Sequence, residues 1–309
     1  MRITNFNLYK ARPSEIGTHR WRARVAAVRE LAPDILTVQE ILVDEVPDPE
    51  DWDRAAAEVV RRLAADCGLV ADLPRGGTAG VATAGSFRRP WFTAVLWNPE
   101  AVAPVRDGFQ SYGAPDFWHA LTTVRLEIGA SEPLLVASYH GDPFRPDFRA
   151  TEALRLKGLL RRTGGAKVGL VAGDFNSVSA ATGPDGGFYD AEPYTGQDHD
   201  DLEYQCVPGT VGSTNVADRR PTEALLRGGF TVDAAAHLGV PWQPTVGYWA
   251  DGDGDPDPWG ARRIDLVLAT RPVTPALVRY GVHVSPAGEA ASDHRLVHVD
   301  IDLARIAPT

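Results

Sequence analysis

The sequence contains little cysteine and no long apolar run. Only Cys67 and Cys206 are present among its 309 residues, and they do not have the spacing of a zinc site. We expect two buried thiols, with a disulfide between them as the alternative. No apolar run has the length of a membrane span, and the N-terminal residues MRITNFNLYK lack the apolar core of a signal peptide. The sequence therefore predicts a cytoplasmic protein without a membrane segment, although a secreted chain whose leader had been removed would look the same.

Positive charge is also scarce. The 31 Lys and Arg residues are outnumbered by 41 Asp and Glu residues, which gives a formal net charge of −10 and a pI of about 5.3. Proteins that bind nucleic-acid backbones usually carry a basic surface, so this balance argues against DNA or RNA as the main partner, with a local basic groove as the alternative. The sequence shows no internal repeat, linker or shift of composition, and we therefore expect one domain over residues 1–309.

The most informative stretch is KVGLVAGDFNS at Lys167–Ser177. Val168–Ala172 is predicted to be a buried strand. Asp174 and Asn176 follow it two residues apart, so in an extended backbone their side chains would point to the same side. A carboxylate beside an amide suits chemistry in which a water is deprotonated and an anionic oxygen is held. The alternative is a strand that ends in an Asx-type turn.

The hydrophobic periodicity predicts an α/β chain that is rich in strands. Helices are predicted after a Thr18 cap and at Glu50–Asp66, Asp147–Arg162 and Thr222–Arg227. Strands are predicted at Ile3–Leu8, Asp34–Glu40, Leu69–Leu73, Gly80–Ala84, Phe92–Trp97, Val102–Phe109, Ala120–Ile128, Leu134–Tyr139, Val168–Ala172, Arg263–Ala269 and Leu296–Ile301. The long connections Ser177–Arg220 and Gly239–Arg262 are expected to set specificity.

Polar residues close several of the predicted strands or lie beside them. The set is Asn7, Glu40, His140, Asp174, Asn176, Asp265, Asp293 and His294. Each one alone also fits a solvated strand end or a histidine whose hydrogen bonds are satisfied. Taken together and in this order, they match a known pattern.

The chain resembles the endonuclease/exonuclease/phosphatase superfamily, which has the DNase I-like fold. The matching blocks span nearly the whole chain, and GDFN and SDH are the most specific of them. They are Asn7, QE at Gln39-Glu40, SYH at Ser138–His140, GDFN at Gly173–Asn176, RIDLV at Arg263–Val267 and SDH at Ser292–His294. The resemblance implies a four-layer α/β sandwich, in which two packed mixed or antiparallel sheets carry helices on their outer faces and the site lies at one rim.

The resemblance also implies a metal site. Glu40 would be the principal ligand, with Asn7 and Asp293 near the metal or the phosphate. Oxygen ligands of this kind suit a hard cation, Mg²⁺ or Mn²⁺. One position departs from the family, because several of its nucleases carry an acidic residue where this sequence has Tyr9.

The other matching residues would carry the reaction. By the same resemblance, Asp174 would activate the attacking water, and Asn176 would hold that water or the phosphate. His294, oriented by Asp265, would stabilise the pentacovalent phosphate. His140 would contact the phosphate or assist the leaving group, and no acidic partner for it is evident in the sequence. Asn7, Asn176 and His140 would thus bind substrate, and attack would be in line without a covalent enzyme intermediate.

We therefore expect a metal-dependent phosphoesterase that acts on a small or medium phosphorylated molecule. The alternatives are a DNA or RNA nuclease, a sphingomyelinase-like phosphodiesterase that acts on a phospholipid, and a non-hydrolytic or binding member of the fold. A nuclease would use arginine-containing segments for phosphate contacts, namely Arg88-Arg89, Arg145–Arg149 and Arg219-Arg220. The acidic stretches Asp185–Glu203 and Asp251–Asp257 would repel a long polyanion.

The stretch Asp251–Asp257 also has the alternating aspartates of a calcium loop. The EF-hand template fails in it, because Pro256 stands at the glycine position and Arg262 at the terminal glutamate position. The sequence leaves two readings open, an ion-binding loop and a solvated acidic loop.

Overall fold

The structure is a computed structural model, which describes residues 1–249 and 257–308. The described residues form fourteen strands and six α-helices. The strands are β1 (Arg2–Ala11), β2 (Ile35–Leu42), β3 (Thr83–Gly85), β4 (Trp91–Trp97), β5 (Ala103–Tyr112), β6 (Leu121–Glu127), β7 (Leu134–His140), β8 (Arg161–Arg162), β9 (Gly165–Ala166), β10 (Gly169–Asp174), β11 (Thr231–Asp233), β12 (Asp265–Thr270), β13 (Leu277–His283) and β14 (Leu296–Ile301). The helices are α1 (His19–Leu31), α2 (Trp52–Cys67), α3 (Pro146–Leu159), α4 (Arg220–Leu226), α5 (Ala234–Leu238) and α6 (Pro286–Ala291).

Two six-stranded sheets form the centre of the fold. The first has the strand order β13-β14-β1-β2-β4-β3 and the second the order β11-β12-β10-β7-β6-β5. Each sheet is mixed, because β1 and β2 run parallel in the first and β7 and β10 run parallel in the second, while their other neighbours are antiparallel. The two parallel pairs place the C-terminal ends of four strands at one rim.

The core has three hydrophobic layers: one lies between the two sheets, and one lies on the outer face of each sheet. Between them, residues such as Ile3 and Val95 of the first sheet pack with Val136 and Leu170 of the second. Helices α1 and α2 cover the outer face of the first sheet, and α3 and α4 cover that of the second. The four-layer α/β sandwich expected from the resemblance is therefore confirmed.

Local sequence signals fix the ends of the first two helices. The Thr18 side chain accepts a hydrogen bond from the backbone N–H of Trp21, and α1 ends at Ala32, which adopts a left-handed conformation before Pro33. Helix α2 ends at Gly68, which adopts φ of 74° as a C-cap glycine commonly does. No helix of the described residues is long and apolar enough to cross a membrane.

Several sequence predictions about elements were wrong. Leu69–Leu73 is not a strand but makes isolated bridges through Val70 and Asp72. The helix predicted at Asp147–Arg162 ends at Leu159, and its last residues form the hairpin β8–β9 instead. Strands β11 and β13 were not predicted, because neither shows a clear alternation of apolar and polar residues.

Two further predictions concern cysteines and loops. Cys67 and Cys206 are both free thiols, so the alternative of a disulfide between them is excluded. The connection Ser177–Arg220 is held against the second sheet by the buried Arg263, whose guanidinium bonds to Asp190 at 2.8 and 2.9 Å. The stretch Asp251–Asp257, for which an ion-binding loop and a solvated acidic loop were both left open, lies outside the described residues except for Asp257.

Candidate active site

The inward faces of the central strands change from apolar to polar toward one rim. In β1, Ile3 lies in the core between the sheets, and Asn5 and Asn7 follow at the two-residue period of a strand. The same period leads from Leu170 to Asp174 in β10. Strand β7 reaches His140 in this way, and β12 begins with Asp265 at the same rim. The alternation of the strands therefore carries polar side chains from both sheets to one place.

Asp174 lies at the centre of this place and is buried. Its Oδ2 accepts a hydrogen bond from Asn7 Nδ2 at 3.1 Å, and its Oδ1 accepts one from the backbone N–H of Asn176 at 2.8 Å. His140 Nε2 and His294 Nε2 lie 3.5 and 3.8 Å from Asp174 Oδ2. Burial raises the pKa of Asp174 to about 7, although the charge of His294 opposes the shift. A carboxyl group with this pKa can exchange a proton near neutral pH.

Glu40 reaches the same point from an irregularity in β2. The pairing of β2 shifts its register between Val38 and Ile41, and Glu40 adopts a left-handed backbone with φ of 60°. Its carboxylate accepts hydrogen bonds from Asn7 Nδ2 at 3.2 Å and from the backbone N–H of Lys10 at 3.1 Å. Burial, followed by the charge of Asp293, raises the pKa of Glu40. The β-bulge thus re-aims one acidic side chain into a site that already holds several.

His294 and Asp265 form a buried pair across the two sheets. Nδ1 of His294 lies 2.8 Å from Oδ2 of Asp265, and the other oxygen of Asp265 accepts a hydrogen bond from Asn5 Nδ2 at 3.3 Å. Burial alone would lower the pKa of His294. The carboxylates of Asp265, Asp293 and Asp174 outweigh burial and raise this pKa well above its usual value. The imidazole is therefore held as a cation with its Nε2 directed toward Asp174.

A layer of buried polar residues beneath the site fixes these side chains. Gln39 Nε2 donates to Asn5 Oδ1 and to Ser138 Oγ, both at 2.9 Å, and so joins the two sheets. Ser292 Oγ donates to the backbone oxygen of Asn7 at 2.7 Å and accepts from the backbone N–H of His294 at 3.0 Å. Sequence reasoning placed Gln39, Ser138 and Ser292 in matching blocks but assigned them no role.

His140 has a neighbour that sequence reasoning missed. The ring of His119 is stacked on that of His140, with centroids 3.9 Å apart and planes 3° from parallel. Burial, together with the charges of His119 and His294, lowers the pKa of His140 well below its usual value. The carboxylate nearest to His140 Nε2 is that of Asp174. No sequence signal marked His119, which lies in a short connection before β6.

The extended geometry expected of Asn176 was wrong, whereas the alternative of an Asx-type turn is confirmed, because the backbone N–H of Asn176 donates to Oδ1 of Asp174. Asn176 does not continue the strand but adopts a left-handed backbone with φ of 47°. Its Nδ2 donates to the backbone oxygen of Gly141 at 3.1 Å and lies 3.5 Å from Asp174 Oδ2. The two side chains therefore meet through a turn and not through the two-residue period of a strand.

The donor atoms at the centre fit a metal ion. Single ligand atoms of Glu40, His140 and Asp174 lie within 4.8 Å of one another. Glu40, Asp174 and Asp293 are buried close together and burial raises the pKa of each, which is the setting that a divalent cation stabilises. The resemblance assigned Asp293 to the metal. Its charge helps to raise the pKa of Glu40, and its Oδ1 lies 3.9 Å from His294 Nε2.

Three of the six arginines that a nuclease would use to contact phosphate are engaged elsewhere. Arg149 is buried and donates to the backbone oxygens of Asp142 and Tyr204. Arg219 donates to backbone oxygens of the Ser177–Arg220 connection, and Arg220 is paired with Asp218 and Asp147. Arg149, Arg219 and Arg220 are therefore not available as the phosphate contacts that the nuclease alternative expected. The sequence could not show this, because it gives the number of charged residues but not their partners.

Aromatic side chains surround the mouth of the site. A cavity of about 330 Å³ is bordered by catalytic candidates, among them Asn176 and His294, and by aromatic rings. These rings belong to Tyr9, Phe144, Tyr204, Trp249 and Trp259. Tyr9, the position at which several family nucleases carry an acid, packs edge-to-face on Trp249 at 4.9 Å. The mouth therefore offers apolar faces where that acid would have stood.

Solved structures of other proteins share this fold. Solved structures similar to the chain include an AP endonuclease from Archaeoglobus fulgidus, with 19% identity, a TM-score of 0.56 and coverage of 98% of this chain and 99% of the other. They also include a Bacteroides thetaiotaomicron mannosyl-6-phosphatase, with 14% identity, a TM-score of 0.58 and the same coverage. A humanized D. rerio TDP2 has 12% identity, a TM-score of 0.57 and coverage of 98% of both chains.

At these identities the structural neighbours show a shared fold and no more. The search of curated protein sequences finds no match. The sequence profile described as the Endonuclease/Exonuclease/phosphatase family matches residues 4–294, which include all eight candidate residues. The chain therefore belongs to the endonuclease/exonuclease/phosphatase family.

Proposed function

We propose that the protein is a metal-dependent phosphoesterase, which hydrolyses a mono- or diester of a small or medium molecule by in-line attack of water. The observation that carries this proposal is the cluster around Asp174, in which Asn7, Glu40, His140 and His294 converge from both sheets. The proposal includes one domain over residues 1–309 and a cytoplasmic location.

The metal would be held by oxygen-rich ligands. Glu40 is the principal ligand in this proposal, with Asp174, Asn7 and Asp293 close to it. Mg²⁺ or Mn²⁺ suits such ligands and, when bound, supplies positive charge that polarises the phosphoryl group.

The side chains divide the remaining work. Asp174 accepts a proton from the attacking water, and hydrogen bonds from Asn7 and from the backbone of Asn176 fix its orientation. His294, kept cationic by Asp265, donates to a phosphoryl oxygen as negative charge develops there. His140, whose lowered pKa keeps it neutral, contacts the phosphate or the leaving oxygen beside Asp174.

A compact phosphorylated substrate fits the surroundings better than a polynucleotide. The mouth is small and aromatic, and Arg149, Arg219 and Arg220 are engaged within the protein. The similar structures include both a mannosyl-6-phosphatase and an AP endonuclease, so a nuclease is the second candidate. A phospholipid diester is the third candidate, and a non-hydrolytic or binding role is the fourth.

A hydrolysis screen tests the proposal. Bis(p-nitrophenyl) phosphate, p-nitrophenyl phosphate and a low-salt oligonucleotide are each incubated with Mg²⁺ or Mn²⁺ and, as a control, with excess chelator. We expect chelator-sensitive hydrolysis of at least one small ester. His294→Ala should reduce this hydrolysis by at least about 100-fold.

The matched control is His283→Ala, which removes a histidine of the edge strand β13 that pairs with Glu30 and not with a catalytic candidate. This variant should keep the wild-type rate. Hydrolysis that resists chelator or survives His294→Ala would contradict the mechanism. Cleavage of the oligonucleotide alone would favour the nuclease, and no cleavage of any substrate would count against a phosphoesterase of broad specificity.

A further inference from the structure

Two arginines share one aromatic ring beside the candidate active site. The guanidinium carbon of Arg89 lies 3.1 Å from the ring centroid of Trp118, and that of Arg145 lies 4.2 Å from the same ring. Arg145 also lies 4.2 Å from the ring of Phe148. Guanidinium groups bind favourably to aromatic faces, but two guanidiniums that contact the same ring repel each other.

The two guanidiniums differ in their partners. Arg145 is bonded to the buried carboxylate of Asp142, at 2.7 Å from Nε and 2.6 Å from Nη2. Within residues 1–249 and 257–308, no group accepts a hydrogen bond from the Arg89 side chain. Burial, followed by the charge of Arg145, lowers the pKa of Arg89. The N–H donors of Arg89 are therefore free of partners among the described residues, and Asp142, the carboxylate whose charge acts on Arg89, is already bonded to Arg145.

This pair lies next to the catalytic candidates. Trp118 directly precedes His119, whose ring is stacked on that of His140 at 3.9 Å. Arg145 is the N-cap residue of α3, so the positive end of that helix dipole lies at the same place. Positive charge is thus concentrated on the His140 side of an otherwise acidic site.

We propose that Arg89, Trp118 and Arg145 form an anion-binding subsite, which receives a second anionic group of the substrate, a phosphate or a carboxylate. The identification of its occupant as part of the substrate rests on the proposed function. Arg89 binds the anion through its free N–H fork, Arg145 adds charge while held by Asp142, and Trp118 keeps the two guanidiniums in place.

Acidic groups limit what the subsite can take. Asp48, Glu50 and Asp53 line the 990 Å³ cavity that Arg89 also borders, and none of them accepts a hydrogen bond from Arg89. An extended polyanion would meet these carboxylates, whereas one compact anionic group need not. The substrate class is therefore a small phosphoester with a second anionic group close to the scissile one.

Titration calorimetry with inorganic pyrophosphate tests the subsite. Excess chelator keeps metal out of the candidate active site, whose carboxylates then repel the anion. We expect saturable binding by the wild type and a loss of at least about tenfold in affinity for Arg89→Gln, because a charge-assisted contact is removed. Arg89→Lys, which keeps the charge but not the fork, should fall between them.

The matched control is Arg88→Gln, because Arg88 is exposed and lies over Phe87 instead of Trp118. Its affinity should stay within about twofold of the wild type. Absent binding by the wild type, or an equal loss for Arg88→Gln and Arg89→Gln, would overturn the proposal. Circular dichroism confirms that each variant is folded. The measurement requires no turnover, so its failure is distinct from a failure of the proposed hydrolysis.

A matched pair of inhibitors tests the link to the substrate. Phenylphosphonate and 4-phosphonobenzoate differ by one carboxylate, and both are compared as inhibitors of bis(p-nitrophenyl) phosphate hydrolysis. We expect the carboxylate to lower the inhibition constant at least about fivefold in the wild type, and this advantage to disappear in Arg89→Gln. Equal inhibition constants in the wild type would contradict a subsite for a second anion.

Discussion

At the scale of single residues, the site is marked by left-handed backbone conformations that residues other than glycine seldom adopt. Tyr9, Lys10, Glu40 and Asn176 all have positive φ, between 47° and 60°. Each such backbone conformation costs about 1 kcal/mol or more of folding free energy and persists only where the surrounding contacts enforce it. Here the hydrogen bonds that enforce it are those that orient the candidate ligands, such as Lys10 N–H to Glu40.

Glu40→Gln tests the acidic ligand most directly. The amide keeps the size of the side chain but removes its charge, so we expect Mg²⁺ or Mn²⁺ affinity and turnover to fall by at least about 100-fold. Stability should not fall, because a buried carboxyl with a raised pKa is replaced by a neutral group. Metal-binding calorimetry, steady-state kinetics and urea unfolding measure these effects. Glu58→Gln, at an exposed position of α2, is the control, and wild-type rates in Glu40→Gln would refute the assignment.

The residues of the site were more predictable than their geometry. Asp174 and His140 were evident candidates because each ends a buried strand and the period of the strand determines its side. Glu40 was a candidate from its position in the QE block, but the direction of its side chain depends on the bulge in β2. The left-handed backbone of Asn176 and the stacking of His119 could not be predicted, because both depend on contacts with distant segments.

At the scale of elements, Gly173 allows β10 to lie close to β7. A Cβ added there would collide with the backbone oxygen of Tyr139 on the neighbouring strand. We expect Gly173→Ala to lower the free energy of unfolding by about 3 kcal/mol and to reduce activity by displacing Asp174. Gly158→Ala is the control, because nothing lies within 4 Å of its added Cβ in α3, and it should raise stability by up to about 1 kcal/mol. Equal stabilities of the two variants, measured by urea unfolding, would contradict this account.

His298 in β14 should make the sheet sensitive to acid. Burial, followed by the charge of Arg2, lowers the pKa of His298 to about 4. The unfolded chain takes up this proton near pH 6.5 and the folded chain only near pH 4, so stability rises with pH between these values. We expect the wild type to lose up to about 3 kcal/mol more than His298→Gln when the pH falls from 7 to 4. Urea unfolding at both pH values measures the difference, and parallel losses would refute it.

At the scale of the whole molecule, the sequence predicted the architecture through the order of its polar blocks. Each block lies in or beside a central strand near the shared rim, so the blocks meet once the two sheets pack. The edge strands β11 and β13 carry no such block and were missed. The partners of Arg149 and Arg219 could not be predicted either, because a charge in the sequence does not show which backbone oxygens will surround it.

The net charge of −10 and the engaged arginines lead to a prediction about salt. A nuclease that makes six to ten phosphate contacts would lose about 10³- to 10⁵-fold in affinity between 50 and 200 mM salt, because binding releases the counterions of the polyanion. A small ester releases few counterions. We therefore expect kcat/KM for bis(p-nitrophenyl) phosphate to change less than about threefold over this range. The assay is run in parallel with an oligonucleotide at equal Mg²⁺. Oligonucleotide cleavage that is efficient at 50 mM salt and collapses at 200 mM would reverse the ranking of the two candidate functions, because a basic groove would then have to exist despite the acidic surface.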